Sequence, residues 1–391
     1  MSVSIDVAWK SLNKFKEELC GDKVEIVKKD DSDILILADG MGSGVKANIL
    51  STLTSKILAT MLFEGATIEE CVETIAKTLP ICSVRKVAYA TFSILQIFHN
   101  GDAYLVEYDN PDCVFIRGKK IIKYPYETRE IEGKKIHEYR FKVEKNDCFV
   151  LMSDGVIYAG AGDILDLNGW TWDSMAEYTL KCTKETLSAS RLATMLSEAC
   201  NELYVNKPGD DTTIAVARVI ERRVVNIFTG PPKNKEDDEK LMYDLMHSDG
   251  KKVVSGGTSA NIAARVLNKE ITTRINETDP DIPPTAEIEG LDLVTEGVLT
   301  LGKTLKLIKK YANDEFDADF FDELDADNGA SKLAKMIIEE CTELNLFVGT
   351  KMNRAHRQSD ITFDMSMRMN LVEQLKTVAE KIGKKVNVKY Y

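Results

Sequence analysis

The segment from Ile34 to Gly44, with the sequence ILILADGMGSG, constrains the fold more than any other part of this chain. A continuous apolar run that stops at Asp-Gly is typical of a buried β-strand, so Asp39 is predicted to lie where a strand leaves a sheet. Gly40, Gly42 and Gly44 allow positive φ angles and let backbone approach a ligand closely before a helix begins. This arrangement suits a metal ion or a phosphate, although Asp-Gly after a strand is also ordinary turn chemistry.

Three further aspartates occupy similar places in the first half of the chain. Asp22 opens an alternating strand, Asp154 follows a buried apolar run, and Asp210 precedes another strand. Because Asp22 and Asp39 belong to a predicted antiparallel hairpin, they are expected near the same end of one sheet. The strands of a predicted meander, from Ala88 to Tyr124, separate this hairpin from the later motifs.

These aspartates indicate a metal-dependent reaction at phosphorus. Hard oxygen ligands with no thiolate or imidazole partner select Mg²⁺ or Mn²⁺. Four carboxylates suffice for a pair of ions, which can activate water and stabilise an in-line displacement on a phosphoester. The alternative is that each Asp-Gly is only a turn and each aspartate only a cap, which becomes harder to maintain for four strand ends together.

Four motifs then carry a family resemblance: Gly21-Asp22, Asp39-Gly40-Met41-Gly42-Ser43-Gly44, Ser153-Asp154-Gly155 and Gly209-Asp210-Asp211-Thr212-Thr213. In this order they resemble the motifs of metal-dependent protein phosphatases of the protein phosphatase 2C (PPM) type. The DGMGSG form most resembles the bacterial SpoIIE branch. The resemblance covers residues 1–222 and implies a β-sandwich of two antiparallel sheets flanked by helices.

The resemblance also implies roles for individual residues at a site with two Mn²⁺ or Mg²⁺ ions. Asp39 would bridge both ions, Asp22 and the Gly40 carbonyl would hold one of them, and Asp154 and Asp210 would hold the other. Asp211 is the weaker choice of its pair. The implied nucleophile is a metal-bound hydroxide rather than a side chain.

The implied function is that of a cytoplasmic bacterial serine/threonine phosphatase acting on a phosphorylated regulatory protein, for instance an anti-sigma-factor antagonist. Two predicted helices, Val45 to Phe63 and Thr67 to Leu79, resemble a switch that couples dimerisation or partner binding to assembly of the metal site, so a homodimer is possible. From the sequence alone, plain core helices remain the favoured interpretation. His99 and His137 lie outside the motifs and are interpreted as structural.

Composition limits the possible partners and compartments. The net charge of −12 argues against nucleic acid as the main partner, and no apolar run approaches the length of a membrane span. The eight cysteines are scattered without a CxxC pair, which favours reduced thiols in a cytoplasm. The amino-terminal residues do not resemble a secretory signal.

The second half, residues 223–391, alternates short strands with helices and therefore predicts a three-layer α/β domain with a largely parallel sheet. The segment Gly256-Gly257-Thr258-Ser259 precedes a predicted helix, so its amides and hydroxyls are a candidate anion site. An ordinary strand-to-helix turn is the alternative. No family resemblance is evident in this half, which is expected to be a sensory, ligand-binding or regulatory module.

An acidic segment, residues 314–327, contains eight carboxylates and three phenylalanines. A solvated loop or exposed helix is the favoured interpretation, with an acidic lid or docking segment as the alternative. For the whole chain, the sequence predicts an α+β enzyme in two domains. The second functional hypothesis is a non-catalytic signalling adaptor whose second domain binds a partner or a small anion.

Overall fold

The computed structural model describes residues 3–78, 90–161, 169–274, 284–313, 316–317, 319–351 and 358–391. The chain divides into two compact units, residues 1–221 and residues 222–391. Each unit has its own hydrophobic cores. Among the described helices, none combines the length and the apolar character needed to cross a membrane.

The described part of the first unit contains antiparallel strands and five helices. The strands are β1 (Val3–Leu12), β2 (Asp22–Lys28), β3 (Ser32–Gly40), β4 (Ala90–Phe98), β5 (Asp102–Tyr108), β6 (Val114–Arg117), β7 (Lys120–Ile122), β8 (Glu127–Ile131), β9 (Lys134–Lys142), β10 (Cys148–Met152) and β11 (Thr212–Glu221). The helices are α1 (Gly44–Phe63), α2 (Ile68–Thr78), α3 (Asp154–Ile157), α4 (Trp172–Cys182) and α5 (Ala189–Leu203). Leu79 and Ala88, where a helix end and a strand start were predicted, lie outside the described residues.

Two antiparallel sheets form a sandwich in the first unit. One sheet has the order β1-β11-β10-β6-β7 and the other the order β2-β3-β4-β5-β9-β8. Apolar side chains from both sheets, such as Leu35, Leu95, Phe149 and Ala217, meet in a shared core and are fully buried. The predicted two-sheet sandwich is therefore confirmed.

The central strand β3 is buried on both of its faces, which accounts for its uninterrupted apolar sequence. Leu35 and Leu37 face the core between the sheets. Ile34 and Ile36 point the other way and pack with Leu58 of α1. Helices α1 and α2 thus cover one sheet, while α5 packs against β1 and β11 of the other.

A buried aspartate joins the two sheets of the sandwich. Asp33 of β3 accepts hydrogen bonds from Ser4 Oγ (2.7 Å) and Ile5 N (3.0 Å), both in β1. Lys28 Nζ lies 3.1 Å and His99 Nε2 3.7 Å from its carboxylate oxygens. Burial alone would raise the pKa of Asp33, but Lys28 and the hydrogen bonds from His99, Ser4 and Ile5 hold it below its usual range.

The second unit is an α/β arrangement. Its strands are β12 (Val224–Thr229), β13 (Lys251–Ser255), β14 (Thr272–Arg274), β15 (Thr285–Glu287), β16 (Leu293–Thr295), β17 (Glu343–Val348) and β18 (Lys385–Tyr390). Its helices are α6 (Asp237–His247), α7 (Gly257–Leu267), α8 (Val298–Ala312), α9 (Asp319–Asp325), α10 (Gly329–Glu339) and α11 (Gln358–Lys381).

Helices cover both faces of one sheet with the order β14-β15-β16-β13-β12-β17-β18. The strands from β16 to β18 in this order pair in parallel. One core packs Phe228 against Leu241 of α6 and Ala263 of α7, and the other packs Val225 with α8, α10 and α11. This confirms the predicted three-layer domain. The antiparallel strands β14 and β15 at one edge of the sheet were not predicted, because their sequences, TTR and TAE, contain no apolar run.

Three asparagines form a ladder across neighbouring strands of this sheet. Asn226, Asn345 and Asn387 occupy the same register on β12, β17 and β18. Asn345 donates to Asn226 Oδ1 at 2.9 Å, and Asn387 donates to Asn345 Oδ1 at 2.9 Å. Asn226, which is fully buried, donates in turn to the carbonyls of Asp249 and Lys251. The ladder satisfies amides at positions where neighbouring residues are apolar.

The acidic segment is more than a solvated loop, because its aromatic residues belong to the core. Phe316, Phe320 and Phe321 are at most 9% exposed and pack with α8 and α10. Two of its carboxylates form ion pairs with those helices: Asp325 pairs with Lys335 of α10, and Glu323 pairs with Lys310 of α8. Residues 314, 315 and 318 of the segment lie outside the described part.

The Asp33 contacts predict a stability effect that depends on pH. At pH 7, we expect Asp33→Asn to lower the free energy of unfolding by about 2–3 kcal/mol, because it leaves Lys28 beside a neutral group in a mostly buried place. A pKa below the unfolded value of about 4 means that this contribution is present above that pH and is lost as the pH falls. Denaturant unfolding of both proteins at pH 7 and pH 3 measures the difference, which should shrink at pH 3.

Asp102→Asn is the matched control for this prediction. Asp102 pairs with Lys142 on the surface, where the two side chains are 50% and 77% exposed. We expect little or no change in the free energy of unfolding, because an exposed ion pair contributes little to stability. Two results would contradict this role of Asp33: an equal decrease in the free energy of unfolding for both variants, or a decrease for Asp33→Asn that is the same at pH 7 and pH 3.

Candidate functional site

The β2–β3 pair places two aspartates side by side at one end of the sandwich. Asp22 and Asp39 are directly opposite each other in the antiparallel register. Asp22 is only 4% exposed, whereas the Asp39 carboxylate lines an open cleft. The predicted proximity of Asp22 and Asp39 is therefore confirmed, with Asp22 buried beside its neighbour.

The glycine loop allows helix α1 to begin very close to these strands. A Cβ added at Gly40 would lie 2.1 Å from the carbonyl oxygen of Ala47, so only glycine fits under the first turns of α1. Gly42 and Gly44 have φ angles of +104° and +67°, which other residues rarely adopt. The side chain of Asn48 then donates to the Cys20 carbonyl at 2.8 Å and ties α1 to the residue before Gly21.

Hydrogen bonds through Ser153 bring the third motif to the same place. Ser153 Oγ donates to Asp22 Oδ2 at 2.7 Å and accepts from Thr213 N at 2.8 Å. The next residue, Asp154, begins the short helix α3 and reaches the cleft. A Cβ on Gly155 would lie 2.2 Å from the Asp211 carbonyl oxygen, so the third and fourth motifs also approach one another closely.

Asp210 and Asp211 have different surroundings, although they are adjacent in sequence. Asp210 is about 39% exposed, and its Oδ1 lies 3.6 Å from Lys14 Nζ. Asp211 is 4% exposed and accepts a hydrogen bond from Lys14 N at 3.0 Å. Both residues line the cleft, but Asp210 is the more exposed of the two, while Asp211 anchors the loop that precedes β2.

The carboxylates raise one another's pKa values. Burial raises the pKa of Asp39, and the charges of Asp22, Asp154 and Asp210 raise it further. Burial and the charge of Asp210 likewise raise the pKa of Asp154. Burial is also the main cause of the raised pKa of Asp22. Mutual repulsion of this kind is characteristic of a site that a cation completes.

Two buried oxygens support a cation at this position. Asp22 Oδ1 and Asp211 Oδ2 are buried and lack a hydrogen-bond partner within the described residues. Carboxylate oxygens of this kind fit the ligand preference of Mg²⁺ and Mn²⁺. Across the described ranges, no three Asp, Glu, His or Cys side chains already converge closely enough to hold an ion by themselves. Backbone carbonyls and water are the usual additional ligands of these ions.

A cleft of about 1000 Å³ opens above the carboxylates. Beyond the predicted aspartates, it is lined by residues that the sequence reasoning did not select, including Lys14, Glu107, Asp109, Asn110, Asp112, Lys135 and His137. Asp109 and Asn110 directly follow β5, so the strand-end signal that identified Asp39 applied to them as well. His137, which was interpreted as structural, stacks on Tyr126 with ring centroids 4.3 Å apart and also borders the cleft.

The Gly256–Ser259 segment lies in the second unit and forms the start of α7, which begins earlier than predicted. Gly256 has a φ of +119° and donates its N–H to the Thr295 carbonyl at 2.9 Å. Ser259 is 1% exposed, and its hydroxyl accepts from Gly230 N at 2.9 Å. Gly257 and Thr258 are exposed at the helix start. Anion binding by this segment stays a prediction.

Several solved structures resemble part of this chain. The PP2C phosphatase domain of SpoIIE from Bacillus subtilis, with a fragment of its regulatory domain, is 18% identical, with a TM-score of 0.46 and coverage of 56% of this chain and 64% of that one. The RsbU and RsbW domains of a Mycobacterium tuberculosis protein give 15% identity, a TM-score of 0.45 and coverage of 62% and 69%. A comparison with curated protein sequences gave no match.

A serine/threonine phosphatase of S. agalactiae is 15% identical, with a TM-score of 0.42 and coverage of 56% of this chain and 100% of that chain. At these identities and TM-scores, the structures assign neither ligands nor activity to this chain. The family comparison is independent of them: residues 29–220 match the model described as Stage II sporulation protein E (SpoIIE). The first unit therefore contains a domain that matches the SpoIIE family.

Proposed function

We propose that the SpoIIE domain of this chain is an active, metal-dependent phosphatase that hydrolyses phosphoserine or phosphothreonine on a bacterial regulatory protein. The observation that carries this proposal is the convergence of Asp39, Asp154 and Asp210 on one cleft, with Asp22 buried beside Asp39. Holding these like charges together is costly unless a cation neutralises them. A signalling adaptor without catalysis would have no need to retain all four.

The donor set favours Mn²⁺ or Mg²⁺, and two ions match the number of carboxylates. We assign Asp39 to both ions, Asp22 and the Gly40 carbonyl to one, and Asp154 and Asp210 to the other. When bound, such ions supply an activated water and neutralise charge on the phosphoryl oxygens. No side-chain nucleophile is then needed.

The surrounding residues orient the carboxylates and prepare the cleft for a phosphate. Ser153 fixes one oxygen of Asp22 by a hydrogen bond and leaves Oδ1 for another ligand. Lys14 lies beside Asp210 and, with Lys135, contributes positive charge to the cleft lining. An open cleft of about 1000 Å³ can admit a phosphorylated segment of a protein. An anti-sigma-factor antagonist remains our example of such a substrate.

Regulation is proposed to come from α1, α2 and the second unit. Three apolar side chains at helical spacing on α1, those of Val45, Ile49 and Leu53, are 63%, 52% and 46% exposed directly after the glycine loop. A partner or a second copy of this chain that covers them would act on α1 and thereby on Gly40. The second unit is proposed as a sensory module, with Gly256–Ser259 as its candidate anion site.

The metal assignment predicts that catalysis depends on Asp39 and Asp154. With Mn²⁺ present, we expect the intact chain to hydrolyse p-nitrophenyl phosphate, and Asp39→Asn or Asp154→Asn to lower kcat/KM by about 100-fold or more, because each loses a charged metal ligand. Initial rates with and without EDTA measure both effects. Asp102→Asn, which removes one negative charge from the surface outside the cleft, is the control and should retain full activity.

Metal-dependent turnover that survives both substitutions would refute the dinuclear assignment. Binding of Mn²⁺ by the intact chain without hydrolysis of p-nitrophenyl phosphate or of a phosphoserine peptide would instead favour the adaptor.

The different surroundings of Asp210 and Asp211 give a second prediction. We expect Asp210→Asn to weaken Mn²⁺ binding by about tenfold or more with little change in stability, since Asp210 is half-exposed at the cleft. We expect Asp211→Ala to lower the free energy of unfolding by about 1–2 kcal/mol, because Lys14 N then loses its acceptor. Calorimetric Mn²⁺ titrations and denaturant unfolding of both variants separate the roles. The reverse pattern would make Asp211 the ligand.

The candidate anion site in the second unit can be tested on the full chain in EDTA, which removes metal-dependent phosphate binding. We expect ATP or inorganic phosphate to raise Tm by binding at the α7 start, and Gly257→Ala and Thr258→Ala to abolish the rise. A Cβ on Gly257 meets no atom within 4 Å, so this variant should fold normally while covering the exposed amides. If neither ligand raises the Tm of the unmodified chain, the Gly256–Ser259 segment is an ordinary strand-to-helix turn and not an anion site.

A further inference from the structure

A second, smaller cavity of about 120 Å³ lies within the first unit, beside the cleft. Its walls come from both sheets and from the segment that follows β7. Four aromatic rings form much of its lining, those of Phe115, Tyr124, Phe141 and Phe149. Neither the metal site nor the family motifs account for this concentration of rings.

The rings are arranged nearly parallel. Phe115 and Phe149 stack with centroids 4.5 Å apart at an interplanar angle of 4°, and Tyr124 and Phe141 stack at 4.5 Å and 6°. Phe115 and Tyr124 connect the two pairs at 5.2 Å and 15°. A cavity beside a parallel stack favours a flat ligand, because another ring can extend the offset stacking.

A buried carboxylate also lines this cavity. Glu107 is 3% exposed, and it accepts hydrogen bonds from Cys113 N at 2.6 Å and from the Tyr139 hydroxyl at 2.9 Å. Within the described residues, Glu107 forms no ion pair with a lysine or arginine. Each of its oxygens retains a further lone pair, so the group can accept from a ligand that carries positive charge.

We propose that this cavity binds a single aromatic ring carrying a cationic N–H donor, such as an amidinium or aminopyridinium, with the ring against the aromatic stack and the N–H groups on Glu107. The cavity, at about 120 Å³, is somewhat smaller than the apolar cavity of about 150 Å³ that accommodates benzene, so no more than one ring fits against the stack. The carboxylate supplies the charge complementarity that a plain apolar void lacks.

The position of this site connects it to the cleft. Glu107 and Asp112 line both the cavity and the cleft. A ligand held by Glu107 therefore lies against a wall of the cleft and is placed to change its shape. Binding itself can be measured whether or not the chain is a phosphatase.

The test uses benzamidine as the probe and isothermal titration calorimetry on the full chain without added metal. We expect benzamidine to bind at one site, and cyclohexanecarboxamidine, which keeps the charge without the aromatic ring, to bind at least tenfold more weakly. Acetophenone, which keeps the ring without an N–H donor, should also bind at least tenfold more weakly. Glu107→Gln should weaken benzamidine binding by at least tenfold while its amide keeps partners for Cys113 and Tyr139.

Two further variants locate the binding. Phe141→Leu removes one ring of the stack from the cavity and is outside the cleft lining, so it should weaken binding severalfold. Asp112→Asn removes an exposed carboxylate from the wall that cavity and cleft share and should leave binding within twofold. Absence of benzamidine binding at millimolar concentration would overturn the proposal. The proposal would also be overturned if Glu107→Gln and Phe141→Leu bound benzamidine as tightly as the unmodified chain. That result would indicate that benzamidine binds in the acidic cleft instead.

Discussion

Electrostatic repulsion among aspartates at one end of the β-sandwich is the constraint to which the rest of the first unit is adapted. The backbone brings Asp22 and Asp39 together by strand register, and neither can move away without breaking the hairpin. Ser153 and Lys14 fix the other acidic segments around them through hydrogen bonds. The repulsion is thus opposed by strand pairing and by hydrogen bonds to the carboxylates, and a bound cation would compensate the remainder.

Close backbone approaches allow this concentration of charge. Gly40 lies beneath α1 and Gly155 lies against the Asp211 backbone, and neither position has room for a Cβ. At the other end of β3, Asp33 ties the sheets together through β1. The sandwich is therefore joined by polar contacts at Asp33 and filled by apolar side chains between the sheets.

Much of this could be predicted from the sequence, because the signals were local. The uninterrupted run before Asp39 reflects burial of β3 on both faces, and the Asp-Gly dipeptides mark strand ends. The link from Ser153 to Asp22 spans 131 residues and that from Lys14 to Asp211 spans 197, so no local pattern encodes them. Glu107 looks like any polar residue of an alternating strand, and only the fold reveals that it is buried.

The second unit was predictable to a similar degree for the same reason. Strands that alternate with helices indicate a parallel sheet, whereas the short polar strands β14 and β15 contain no apolar run that would reveal them. The acidic segment was misleading because composition emphasised its carboxylates, while its phenylalanines decide how it packs. In such segments a few large apolar side chains outweigh many charged ones, since the charged groups can remain at the surface.

The asparagine ladder has a consequence for how the parallel sheet selects its own alignment. A shift of one residue in strand pairing turns every side chain of the shifted strand to the other face of the sheet. A shift of β18 by one residue would set Val386 or Val388 beside Asn345 and leave its carbonyl oxygen without the Asn387 amide. The hydrogen bonds among Asn226, Asn345 and Asn387 therefore form only in the observed register and favour it over a shifted one.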